Sequence, residues 1–143
     1  MNALHVVFET GRFNLSQVKN HFINPCCFGE DLAAWLRSKL VEKDVETRDS
    51  YQEDWGWELP VKQGHDSYYL CVSGNSDEAP QNLDYGQWRI IVEKRRTLRQ
   101  RLCRKGKITA DDSMLALLQG ILSTESTIQE VRLLDDEKAQ QPY

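Results

Sequence analysis

Trp55-Gly56-Trp57-Glu58-Leu59-Pro60-Val61-Lys62-Gln63-Gly64-His65-Asp66-Ser67-Tyr68-Tyr69-Leu70-Cys71-Val72-Ser73 is the stretch that decides the fold. Its first eight residues alternate. Successive side chains of an extended chain point to opposite faces, so the alternation predicts Trp55, Trp57, Leu59 and Val61 together on one apolar face. Gln63-Gly64-His65-Asp66 reads as a turn, and 67–73, rich in aromatic and β-branched residues, returns as the partner strand of a hairpin. Pro60 brings no N–H to a ladder, which predicts an edge strand or a non-bonded position for it.

Upstream, Val45–Tyr51 alternates as a further strand, Leu4–Glu9 is apolar and β-branched, and Arg12–Ser16 predicts a second short extended piece. Between them, Leu32, Trp35, Leu36 and Leu40 recur at helical spacing within Gly29–Lys43, with Glu30 and Asp31 in the first turn where they complement the helix dipole. Downstream, Gly74–Gly86 is a polar loop, and Gln87–Lys94 is a strand with Trp88, Ile90 and Val92 on one face. Thr109–Ser123 is a second helix with a stripe of Met114, Leu117, Leu118, Ile121 and Leu122; Thr109 and Asp112 resemble a capping box. Thr127–Leu134 closes the series as a strand. Short turns predict an antiparallel sheet of about five to six strands, and two one-sided helices predict that both cover its single buried face, an α+β fold. Residues 1–134 form one domain in this reading, with 135–143 a polar C-terminal tail.

A chain of 143 residues suffices for one domain burying about 68% of the surface its unfolded form exposes. An apolar fraction of 40% and a charged fraction of 28% are ordinary for a globular protein and exclude a disordered one. The run Ala3–Phe8 is interrupted by His5 and has no basic leader, and Met114–Leu118 falls far short of the roughly 20 residues that span a bilayer. These features predict a cytoplasmic protein without a membrane contact. Cys26, Cys27, Cys71 and Cys103 include no C-x-x-C pair, as expected of reduced thiols. Neither Gly11 nor Gly74 opens a phosphate-binding glycine pattern, and no cofactor is expected.

Two stretches, Phe22-Ile23-Asn24-Pro25-Cys26-Cys27-Phe28-Gly29-Glu30-Asp31-Leu32-Ala33-Ala34-Trp35-Leu36 and Glu53-Asp54-Trp55-Gly56-Trp57-Glu58-Leu59, resemble a group of small uncharacterised bacterial proteins, together with the Trp88 strand. The resemblance spans residues 13–95. It implies a bacterial cytosolic protein with a shared fold, and it carries over no catalytic residue because the group has no established activity.

Three groups of residues invite chemistry. Glu53, Asp54 and Glu58 with His65 across the hairpin, and His21 as a further candidate, are titratable groups that would need to converge in a cleft for acid/base catalysis; Glu53 and Asp54 fall in a bend and Glu58 opposite the tryptophans, so a solvated acidic rim is the simpler expectation. His21, Cys26 and Cys27 offer three soft metal ligands, but adjacent cysteines point apart, whereas zinc sites separate them by two to four residues. The third group is electrostatic. Lys94–Lys107 contains eight cations and no carboxylate, out of 18 Lys+Arg against 22 Asp+Glu in a chain of net charge −4, so the remainder carries ten cations against 22 carboxylates. Arg95, Arg96, Arg99, Arg101, Arg104 and Lys105 are the candidate partner-binding residues. Their charge is expected to balance the acidic remainder of the fold, or else to meet an acidic protein partner or a second copy. Nucleic acid ranks last because no aromatic accompanies the arginines. Leu98 and Leu102, four residues apart, predict a helical turn anchoring both on the core. The chain therefore reads as a non-enzymatic binding module, with a small hydrolase built on Glu53, Asp54 and His65 as the alternative.

Overall fold

A computed structural model describes residues 3–23, 27–76 and 84–135. In chain order the elements are β1 (Ala3–Thr10), α1 (Glu30–Glu42), β2 (Glu46–Thr47), β3 (Tyr51–Glu53), β4 (Gly56–Gln63), β5 (Asp66–Ser76), β6 (Gly86–Lys94), α2 (Leu98–Leu102), α3 (Ser113–Ser123) and β7 (Ile128–Asp135). The seven strands make one antiparallel sheet in the order β2-β4-β5-β6-β1-β7, with β3 also pairing β4. The α+β architecture expected from the hairpin is thus the observed one. Among the described residues no helix is long and apolar enough to cross a membrane.

Register sorts side chains onto two faces. Directly paired residues share a face, so Trp57, Val72, Ile90, Val6 and Leu133 form one row across β4, β5, β6, β1 and β7. This is the covered face. Leu32, Leu36 and Leu40 of α1 and Met114, Leu115, Leu118 and Leu122 of α3 lie in the same buried cluster. The helix N-terminus at Gly29 fixes how close α1 comes: its φ of 137° favours glycine, and a Cβ there would meet Val72 Cγ2 at 2.9 Å. The opposite face carries Glu58, Cys71, Ile91, His5 and Leu134 in one row. No helix covers it.

Several expectations are corrected. Arg12–Ser16 is a bent segment that buries Phe13 and Leu15 in the core. Trp55 lies in the two-residue turn joining β3 to β4 and is 57% exposed, whereas Trp57 is 5% exposed. β4 is an interior strand despite Pro60. The Pro60 carbonyl accepts from the Arg48 N–H at 3.0 Å, so the missing N–H of Pro60 falls on that same side of the strand. There the single strand expected over 45–51 breaks into β2 and β3. The helix expected from Thr109 begins at Ser113, capped by the Asp112 side chain on the Met114 N–H. Cys26, most of the expected 74–86 loop and residues 136–143 lie outside the described residues.

Candidate functional site

Among the expected sites, the acid/base group does not come together. Glu53 pairs with Gly56 at the start of β4, while His65 sits in the turn after Gln63 at its end, so the length of the strand, roughly 25 Å, separates them. Glu58 is instead hydrogen-bonded by the Tyr51 hydroxyl at 2.9 Å. Burial raises the Glu58 carboxyl, with Glu53 and Glu93 adding to the rise and the Tyr51 bond opposing it; burial followed by Glu58 pushes Tyr51 up to about 12. Of the soft-ligand group, His21 and Cys27 are described and each has another partner. His21 is bonded to Glu30, the Cys27 thiol donates to the Asp54 carbonyl, and among the described residues no three His, Cys, Asp or Glu side chains are grouped around a metal position.

The basic segment is a surface strap, residues 95–111, whose two ends are held together. Lys94, the last residue of β6, places its ammonium 2.9 Å from Asp112, the cap of α3, and 3.7 Å from Asp66. Tyr68, paired with Lys94 in the sheet, donates its hydroxyl to the same Asp112 carboxylate at 2.8 Å. Burial pushes the Asp112 carboxyl upward, but the bonds from Lys94, the Met114 N–H and Tyr68 outweigh it and leave it lowered. Within the strap, α2 is closed by a capping box: Thr97 accepts from the Gln100 N–H, and the Gln100 side chain accepts from the Thr97 N–H.

The strap does not anchor as expected. Leu98 is 73% and Leu102 76% exposed, and α2 has no buried residue. Nor do its charges settle on the fold's own acidic groups. Among the described residues, none of Arg95, Arg96, Arg99, Arg101, Arg104, Lys105 and Lys107 makes an ion pair; Arg96 donates to the Lys105 carbonyl, and the Arg95 guanidinium lies 5.3 Å from the Tyr69 ring centre. The result is a cationic loop presenting two leucines to solvent.

Beside it lies a feature that sequence reasoning missed. A hollow of about 940 Å³ at the β2/β4 end of the sheet is lined by Arg48, Lys62, Arg95, Tyr51, Pro60 and Tyr69, among others. These residues come from five separate segments and meet only through strand register, so no spacing in the chain announces them. Arg95 belongs to both hollow and strap. No family model, curated protein or solved structure matches the chain.

Proposed function

We propose that this protein is a binding module that docks an acidic protein partner through the strap. The observation that carries the reading is the exposure of Leu98 and Leu102 amid arginines that no carboxylate pairs with among the described residues. Solvated leucines at helical spacing gain by entering an apolar notch, and the surrounding cations select a notch rimmed by Asp and Glu. A phosphate backbone offers the leucines nothing, the strap brings no ring for base stacking, and the chain's net charge of −4 opposes a polyanion. A bacterial cytosolic setting is part of this proposal and rests on the sequence resemblance alone.

Peptide display against the full chain tests this directly. Enriched peptides should carry carboxylates around an apolar residue. Their affinity at about 150 mM salt should fall at least tenfold in Leu98→Ser/Leu102→Ser, and their salt dependence should flatten in Arg99→Gln/Arg101→Gln/Arg104→Gln. Enrichment of peptides without carboxylates, or equal binding by both variants, would sink the reading. Duplex DNA binding at that salt, abolished by the arginine substitutions, would reassign the strap to nucleic acid.

A further inference from the structure

We propose that the hollow at the β2/β4 end is a second, separate binding site, for a phosphate monoester of a molecule that contains a flat ring. The register places its groups on one surface. Glu46 pairs with Lys62, Lys62 with Ser67 and Pro60 with Tyr69, and the Arg48 and Arg95 N–H groups bond to the Pro60 and Ser67 carbonyls. Because paired residues share a face, Arg48, Lys62, Tyr69 and Arg95 all project on the side away from α1 and α3. The cations of the hollow therefore belong to that face, while Thr47, Val61 and Tyr68 of the covered side and Arg37 of α1 complete its lining.

Its charge has a definite size. Arg37 and Asp49, at the rim, neutralise each other at 2.6 Å. That leaves Arg48, Lys62 and Arg95 facing one carboxylate, Glu46, and none of the three cations makes an ion pair among the described residues. A dianion restores neutrality, and a phosphate monoester carries about −1.5 to −2 at neutral pH. Two guanidinium forks suit its oxygens better than point charges would.

The floor explains the ring. Tyr69 and Pro60 form a cross-strand pair, Tyr51 flanks them from β3, and the Arg95 guanidinium already lies over Tyr69 at 5.3 Å. Tyr51 is fixed by its bond to Glu58. Flat apolar surface beside fixed cations is what an anion that also contains a flat ring needs and what inorganic phosphate cannot use. A volume near 940 Å³ accommodates a mononucleotide-sized ligand.

The test is an amide NMR titration of the full chain with phenyl phosphate, a nucleoside 5′-monophosphate, inorganic phosphate and phenol. The expected result is movement of the Arg48, Lys62, Tyr69 and Arg95 amides, with one of the two ring phosphates bound roughly tenfold or more tightly than inorganic phosphate or phenol. Whichever ring phosphate binds more tightly identifies an aryl or a nucleotide source. Arg48→Gln, whose side chain has no ion pair or hydrogen bond to lose among the described residues, should weaken that binding by a similar factor at an unchanged melting temperature. Leu98→Ser/Leu102→Ser should leave it intact, which separates this site from the strap. Failure of these amides to move at millimolar ligand, equal binding of inorganic phosphate, or unaltered binding by Arg48→Gln would overturn the proposal.

Discussion

Replacing Trp57 by Ala should cost about 3 to 5 kcal/mol in a denaturant titration, the usual range for emptying a large buried aromatic site. Its indole packs against Phe22 at 5.4 Å between ring centres and donates to the Cys27 carbonyl at 3.0 Å. Trp55→Ala, two residues away at the tip of a turn, should change stability by no more than about 0.5 kcal/mol. The sequence could not separate the two, since both obey the same alternation; only the register Glu53 to Gly56 takes Trp55 out of the strand. Glu58 gives a prediction of opposite sign. Its folded-state carboxyl is raised above 4.5, chiefly by burial, so its contribution is full below that pH and is lost as pH rises through the folded value. Glu58→Gln should therefore melt higher than the parent at pH 7, with the gain shrinking below about pH 4. Thiol reactivity follows the same logic of burial. Cys71 is pushed up to about 12 by burial, then by Glu58, and Cys27 is buried, whereas Cys103 at the end of α2 is exposed. Under native conditions a maleimide should modify Cys103 rapidly and leave Cys27 and Cys71 to react only on unfolding.

The start of α3 concentrates more interactions than any other element boundary described above. Asp112 caps the helix, bonds the Tyr68 hydroxyl and pairs with Lys94, whose side chain is only 15% exposed. Asp112→Ala should cost about 2 to 4 kcal/mol, combining a lost cap with a mostly buried ammonium left without its closest anion. The Asp112 carboxyl is lowered below 3.8 in the folded state, so its contribution is present above that pH and disappears as pH falls through the folded value. Melting curves of the parent and Asp112→Asn should draw together on acidification. Helix α3 was legible because its leucine stripe is periodic, but its start was not. Thr109 lies in a preceding turn, where the Asp112 N–H bonds the Thr109 carbonyl at 3.0 Å, so the cap passed to the residue expected to answer it. β2 and β3 were similarly unreadable as two strands, because the cause of their separation, Pro60, sits on the neighbouring strand.

Across the whole molecule, the cations and the paired end of the sheet coincide: strap and hollow both begin where β6 leaves the sheet at Lys94. The strap was visible in sequence as unbalanced charge. The direction its leucines face was not, since four-residue spacing describes a helical stripe without saying whether anything covers it. The hollow was invisible for the reason that sheets build sites from distant segments. One consequence follows from the clamp of Lys94, Tyr68 and Asp112. Because these side chains hold both ends of residues 95–111 together and α2 contributes nothing to the core, the α2 part of the loop, ahead of the core-packed Ile108, is a cassette. Excising residues 97–105 in favour of a short Gly/Ser linker, which keeps Ile108 packed against the core, should leave the melting temperature within a few degrees of the parent, since closing a shorter loop costs no more entropy. Grafting a loop of different charge onto the same clamp should then retarget the molecule without a new fold, so that scaffold and address are free to diversify separately.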